Sequence, residues 1–173
     1  MAWMSPEAAR IAGADLLDTV SRKDLGAGAR STIRRGWITV DGAHLLKARY
    51  KSYFGDRRRF LSVMDYEVAV NGRGIPDLHL TEEGEPRVSR LLRRGISFAW
   101  AALVRQSKDL PNVRMAAYVS VSPIMLEPDQ FTGNATFCTV PLGQPGYTDP
   151  TTLRDEIVVA LFSEDCRHPL KRR

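Results

Sequence analysis

The stretch 86–106 carries four arginines whose spacing could bind an anion. At 100° per residue, one face of a helix here would collect Arg87, Arg90, Arg93 and Arg94. Like charges at this spacing repel each other and destabilise a helix, and a bound anion would relieve that repulsion. Because the planar guanidinium matches the oxygens of a phosphate, phosphate is the ligand that this face predicts.

The opposite face of the same stretch is apolar. It presents a stripe formed by Val88, Leu92, Ile96, Ala99 and Leu103. Such a stripe predicts an amphipathic helix that packs on a core and holds its arginines toward solvent.

Two further basic groups belong to the predicted anion-binding set. They are Arg57, Arg58 and Arg59 in a predicted loop, and Lys171, Arg172 and Arg173 at the C-terminal end. The chain has a net charge of +5 and a pI near 9.5, which favours nucleic acid, acidic lipid headgroups or an acidic protein as the partner. No aromatic-rich nucleic-acid motif accompanies these groups, so the sequence does not support base-specific recognition.

Residues that could catalyse a reaction are present, but they lack the spacing of known catalytic motifs. The chain has serines and three histidines, but none of them lies in a Gly-x-Ser-x-Gly or active-cysteine signature. Cys166 and His168 are two residues apart, but two further metal ligands at suitable spacing are lacking. Asp65 and Glu67 could share one face of a predicted strand, so with Tyr66 they are the candidates for acid–base work. The sequence therefore predicts a non-enzymatic protein without metal or cofactor.

The predicted loop 123–133 is the candidate for a hydrophobic contact site. It contains Ile124, Met125, Leu126 and Phe131. Apolar side chains on an exposed loop could dip into a membrane or dock on a partner protein. The same loop could instead fold back over the core.

Periodicity and turn residues predict the order of the secondary-structure elements. The elements predicted before the long helix are a helix from Ser5 to about Val20, a flexible basic stretch at 22–30, a strand at 37–40 ending in Asp41-Gly42, a short helix at 43–50 and a strand at 60–70. The stretch 22–30 could be an ordered loop, or the joint between an N-terminal arm and the main domain. The elements predicted after the long helix are strands at 113–122 and 135–142, then a helical turn near 149 that leads into a strand at 157–162. This order predicts an α+β fold in which a mainly antiparallel sheet packs against one long amphipathic helix and carries an N-terminal helical arm.

The chain divides into three predicted parts. These are an N-terminal helix and flexible arm at 1–35, a single core domain at 36–166 and a basic tail at 167–173. The sequence shows no basic-then-apolar leader, and no apolar run reaches the roughly 18–20 residues that cross a bilayer. These features predict a soluble intracellular protein whose membrane contact, if any, is peripheral.

Six segments of the chain follow one another in a suggestive order. They are Lys51-Ser52-Tyr53-Phe54-Gly55, the segment from Phe60 to Val68, the arginine helix, the segment from Val113 to Ser122, Gly133-Asn134-Ala135-Thr136-Phe137-Cys138 and the segment from Glu156 to Asp165. This order resembles the matrix proteins of rhabdoviruses, which link the ribonucleoprotein to the membrane. The resemblance implies self-assembly through an N-terminal arm, contact with a nucleocapsid, and peripheral binding to an acidic membrane surface in the host cytoplasm and the virion.

The sequence thus predicts a structural or assembly protein that binds anionic partners. The candidate partners are a second copy of the chain, a nucleocapsid or other acidic protein, nucleic acid and an acidic membrane. A small bacterial interaction protein of the immunity or adaptor class is one alternative, because an alanine- and arginine-rich composition suits it equally. A small biosynthetic isomerase or cyclase with an unrecognised pocket is the other.

Overall fold

A computed structural model gives the fold of residues 3–13, 15–26, 28–141 and 146–171. Its helices are α1 (Pro6–Ala12), α2 (Leu16–Thr19), α3 (Ala29–Arg35), α4 (Lys47–Tyr50), α5 (Val63–Asn71) and α6 (Gly84–Asp109). Its strands are β1 (Trp3–Met4), β2 (Trp37–Val40), β3 (Ala43–Leu46), β4 (Arg73–Gly74), β5 (Met115–Ile124), β6 (Glu127–Thr139) and β7 (Ile157–Phe162). Short 3₁₀ turns lie at Arg22–Asp24, Arg57–Arg59 and Pro150–Thr152.

The strands form one antiparallel sheet and one separate hairpin. The sheet has the strand order β1-β7-β5-β6-β4, and β2 pairs with β3. β5 is central, with Val119 opposite both Ala135 of β6 and Val159 of β7. This antiparallel sheet, the long helix α6 and the helix at the N-terminus confirm the predicted α+β fold.

Helix α6 packs on one face of the sheet through the predicted apolar stripe. All five side chains of that stripe are at most 1% exposed. They belong to the same core cluster as alternate residues of β5, namely Met115, Ala117, Val119 and Val121. A Cβ at Gly95 would overlap the side chains of Val119 and Ile75, so the glycine lets α6 approach the sheet closely.

The segment 60–70 contains a helix, α5, and the predicted strand is wrong. Ser62 caps this helix, since its hydroxyl accepts a hydrogen bond from the Asp65 amide at 3.0 Å. The apolar side chains recur at helical spacing, with Met64 and Val68 against the sheet and Tyr66 and Val70 against the β2–β3 hairpin. Over so short a segment the apolar residues fit both periods, and burial on two sides selects the helix.

The predicted N-terminal arm is part of the core. β1 pairs with β7, and the amide of Ser5 donates to the carbonyl of Val158 at 2.9 Å. The predicted single helix is interrupted at Gly13, whose φ of 78° ends α1. The stretch predicted to be flexible instead holds the 3₁₀ turn at Arg22–Asp24, closed by a capping box, and the start of α3.

The predicted loose tail is ordered as far as Lys171. Cys166 and Leu170 are buried, and the carbonyl of His168 accepts a hydrogen bond from Trp100 Nε1 at 2.7 Å. The carbonyl of Lys171 accepts from the amide of Arg22 at 3.2 Å. The prediction of a loose tail is therefore wrong for 167–171, and Arg172 and Arg173 lie outside the described residues.

Two further predictions differ from the structure near the ends of strands. The predicted short helix at 43–50 begins as strand β3 and becomes helical only at α4. The predicted loop 123–133 is the end of a long β5–β6 hairpin, paired as far as Ile124 opposite Glu127. The helical turn followed by a strand near the C-terminus is confirmed by the turn at Pro150–Thr152 and by β7.

None of the helices in the described part of the chain combines the length and the hydropathy needed to span a membrane.

Candidate anion-binding surfaces

Arg87 does not face solvent, which corrects the prediction for this position. Its side chain is buried, and its guanidinium bonds to Asp77 Oδ2 at 3.0 Å, to the carbonyl of Phe131 at 2.8 Å and to that of Leu80 at 3.1 Å. These contacts join α6 to β6 and to the segment before the helix. Arg87 therefore stabilises the fold, and each of its three nitrogens already donates within the chain.

Arg93 and Arg90 also form ion pairs with carboxylates of the same chain. Arg93 bonds to Asp24 Oδ1 at 3.1 Å and to the hydroxyl of Thr19 at 2.9 Å, which ties α6 to the N-terminal segment. Burial alone would raise the pKa of Asp24, but the amide of Ser21 and the charge of Arg93 outweigh it and hold that pKa below its ordinary value. Arg90 lies 3.4 Å from Glu82 at the surface.

The four arginines are therefore not one free positive patch. The repulsion between them is relieved by carboxylates and carbonyls of the same chain, so an external anion is not needed for that purpose. Arg94 differs from the other three, since it forms no ion pair among the described residues and bonds instead to the carbonyl of Pro76 at 2.7 Å and to His79.

The other predicted basic groups lie apart from this helix face. Arg57 donates to the carbonyl of Phe60 and stacks 5.2 Å from the ring centre of Tyr66, and Arg58 pairs with Asp56 at 2.9 Å. Arg59 and Lys171 are exposed. Anion binding at these positions stays a prediction.

The predicted hydrophobic contact site lies at the tip of the β5–β6 hairpin. Met125 and Leu126 are 94% and 91% exposed, whereas Phe131 is half-buried and packs against the main core. Glu127 and Asp129 adjoin the tip, and their negative charge would oppose an acidic lipid surface. A role of this tip in membrane or partner contact stays a prediction. An uncharged partner surface suits the tip better than an acidic membrane does.

The side chains of the three candidate catalytic residues lie in different environments. Asp65 is exposed and bonded to Ser62, Tyr66 packs against Phe60, and Glu67 is fully buried. Glu67 accepts hydrogen bonds from the amide of His44 and from the amide and hydroxyl of Thr139 at 2.6 to 2.9 Å. Both of its carboxylate oxygens thus accept bonds from the fold.

No three His, Cys, Asp or Glu side chains in the described part of the chain could hold a metal ion together. Cys166 is buried while His168 is exposed, so this sequence pair does not form a shared site.

Unpaired cations instead converge on a groove between the 3₁₀ turn at Arg22–Asp24, α3 and α6. This groove encloses about 560 Å³ and is lined by Arg22, Lys23, Leu25, Arg30, Ile33, Arg34 and Ala101. The four basic side chains belong to exposed residues, and none forms an ion pair with a described carboxylate. The floor between them is aliphatic.

A second cavity of about 210 Å³ continues the groove along α6. It shares Arg22, Leu25, Ile33 and Ala101 with the first and adds Val104, Arg105, Lys108, Pro169 and Leu170. Arg105 is paired with Asp109 at 2.8 Å, while Lys108 is exposed. We call the two cavities together the basic groove.

Sequence reasoning missed this groove because its residues come from three distant segments. Its strongest local signal is Ala29–Arg35, a basic stretch that lies between Gly28 and Gly36. Glycines at both ends of a seven-residue segment are typical of helix boundaries, and Arg30 and Arg34 are then one turn apart.

No protein-family model, no curated protein and no solved structure matches the chain. The site must therefore be interpreted from its own chemistry.

Proposed function

We propose that the protein is an interaction or assembly protein whose basic groove binds an acidic, amphipathic segment of a partner protein. One observation carries the proposal: unpaired cations and aliphatic side chains together line two cavities that share four residues. A segment with leucine-like side chains on one face and carboxylates at its edges is complementary to such a surface.

The shape and lining of the groove favour a protein segment over the other anionic partners. A lipid surface is broad and flat, so it would leave the aliphatic floor of a groove uncovered. Single-stranded nucleic acid is usually held by stacking on aromatic rings, and the lining residues include none. An acidic protein, such as a nucleocapsid protein, therefore suits the groove best among the predicted partners.

The matrix-like, adaptor and self-assembly roles stay proposals, and fewer observations support them than support the groove. A matrix-like role that joins a membrane to a nucleocapsid depends on the order of segments alone. A bacterial adaptor role is supported equally well by the groove, because both classes would bind an acidic protein. Self-assembly would require that an acidic segment of one copy, such as the exposed residues near Glu83 and Glu85, enters the groove of another.

The proposal is tested by fluorescence anisotropy with a labelled peptide that carries glutamates and leucines at helical spacing. Reversing two charges with Arg30→Glu and Arg34→Glu should weaken binding about tenfold or more, since attraction across the groove becomes repulsion. The matched control is Arg58→Glu with Arg59→Glu, which changes the net charge equally at a distant surface. Circular dichroism checks that each variant is folded.

Two peptide controls separate the parts of the proposal. Replacing the glutamates by glutamines, or the leucines by alanines, should each weaken binding. If the groove variant and the control variant lost the same affinity for the peptide, net charge alone would explain the loss. That result would overturn the groove as the binding site. Tighter binding to single-stranded DNA or to phosphatidylserine vesicles than to the peptide would overturn the partner class.

A further inference from the structure

A third, smaller pocket lies beside the loop that precedes α3. It is lined by Arg49 of α4, Arg73 of β4 and Arg94 of α6, with walls formed by Gly26, Gly28, Ala29, Gly74, Ile75, Pro76 and Phe98. The described lining residues include three arginines and no aspartate or glutamate. None of these arginines belongs to the basic groove.

Arg49, one of the lining residues, has a side-chain donor without a partner in the described part of the chain. Its Nε atom is buried and has no hydrogen-bond partner among the described residues. A guanidinium stays charged in proteins, and a buried donor without a partner costs on the order of 1–3 kcal/mol, more when it is charged. Native structures usually meet such a group with a water, an ion or a ligand.

The charges in the pocket add to this cost. Burial lowers the pKa of Arg49 to about 10, and the nearby charge of Arg73 contributes in the same direction. Burial also lowers the pKa of Arg94, with the charge of Arg90 as a further cause. A bound anion would reverse these effects.

Arg94 is held in place for such a role. One of its terminal nitrogens donates to the carbonyl of Pro76 at 2.7 Å, and the other lies 2.8 Å from Nε2 of His79. Because a guanidinium has only donors, the ring nitrogen of His79 accepts this bond. Arg94 therefore keeps its position through a carbonyl and a ring nitrogen, and the nearby carboxylates of Glu82 and Asp77 offset only part of the effect that burial and Arg90 have on its pKa.

The cavity volume of about 30 Å³ limits the size of the ligand. This space holds only a few water-sized groups, and the pocket is partly open to solvent, so a ligand would enter it with one end while the rest stays at the mouth. We infer that Arg49, Arg73 and Arg94 form a binding site for a compact tetrahedral oxyanion, namely phosphate or the terminal phosphate of a monoester. Arginine forks match its oxygens in pairs, whereas an extended polyanion would not enter.

The first experiment measures thermal unfolding with inorganic phosphate, against chloride at equal ionic strength. Phosphate should raise the melting temperature saturably in the wild-type protein. Arg73→Gln, at an exposed position, should raise the dissociation constant for phosphate about tenfold or more. Arg49→Met should do the same, and Arg58→Gln is the control that should leave phosphate binding unchanged.

The outcomes separate the sources of the phosphate group. Saturable binding of inorganic phosphate without pelleting on phosphatidic acid vesicles assigns a soluble ligand. Pelleting with phosphatidic acid vesicles that is lost in Arg73→Gln and displaced by phosphate assigns a lipid phosphomonoester. Equal melting temperatures in phosphate and chloride without such pelleting, or wild-type affinity in Arg73→Gln, would overturn the site. Neither result depends on the basic groove, whose variants change other residues.

Discussion

Glu67 and Asn71 lie one turn apart on the buried side of α5 and hold the β2–β3 hairpin against the main sheet. Glu67 bonds to the amide of His44 in β3 and to Thr139 in β6. Asn71 accepts from the amide of Leu46 in β3 at 2.8 Å and donates to the carbonyl of Phe137 in β6 at 3.1 Å. Two side chains thus satisfy backbone groups of two sheets that do not pair with each other.

Replacing Glu67 by glutamine should destabilise the protein although the two side chains have the same size. The carboxylate accepts all three of its bonds, so an amide NH₂ in its place would turn a donor toward other donors. We expect the free energy of unfolding in urea to fall by about 2–3 kcal/mol. Glu127→Gln, on the exposed hairpin, should change it by less than about 0.5 kcal/mol. Equal stability of both variants would show that α5 does not depend on this carboxylate.

Arg87 and Arg90 should differ sharply in their contribution to stability, although both belong to the predicted arginine face. Arg87→Met would leave the half-buried Asp77 and two carbonyls without their partner, and should lower the free energy of unfolding by about 2–3 kcal/mol. Arg90→Met removes only a surface pair at 3.4 Å and should cost less than about 1 kcal/mol. Urea unfolding measures both, and similar values would contradict the structural role of Arg87.

The arginine helix illustrates what local sequence can predict. Its apolar stripe repeats at 3.6 residues over several turns, and this periodicity alone identified the buried face. The partners of its arginines could not be predicted in the same way. Asp24 is 69 residues away from Arg93 in the sequence, and the carbonyl of Phe131 is 44 residues from Arg87. Such contacts depend on the fold and not on spacing.

The errors at α5 and at the stretch 22–30 have related causes. At α5, apolar residues fit both the strand and the helix period, and a tertiary contact decided between them. At 22–30, a small and basic composition indicated flexibility, but Arg93 and Ser97 of α6 hold that segment in place. The basic groove was missed for this reason, since it exists only when 22–34 is packed against α6.

Gly95 should be intolerant of even a methyl group. Its Cβ would overlap the side chains of Val119 and Ile75, and overpacking of this kind costs about 1–3 kcal/mol. This cost should exceed the gain of about 1 kcal/mol in helix propensity that alanine brings. We therefore expect Gly95→Ala to lower the melting temperature, although the same change stabilises most helices.

A double-mutant cycle locates the cause of that loss. Val119→Ala creates space in the wild-type protein and should destabilise it, but in the Gly95→Ala background the same change should cost less or nothing. Additive effects of the two substitutions would show that the helix and the strand do not meet at these positions.

The two cysteines should make stability depend on alkaline pH. Burial, together with the charge of Glu67, raises the pKa of Cys138 to about 12, and burial likewise raises the pKa of Cys166 to about 12, from an ordinary value of 9.0. Below pH 9 both thiols are protonated in the folded and the unfolded chain, so they have no effect. Above it the unfolded chain releases these protons while the folded chain retains them, and the free energy of unfolding falls as pH rises toward 12.

The size of this effect can be measured by urea unfolding from about pH 8 to about pH 10.5. Two retained protons correspond to a limiting slope of about 2.7 kcal/mol per pH unit, since each contributes about 1.36 kcal/mol. The variant with Cys138→Ala and Cys166→Ala should show a clearly smaller slope, because only other titrating groups remain. Identical slopes in the two proteins would mean that the thiols ionise equally in both states, and that the cysteines are not excluded from solvent.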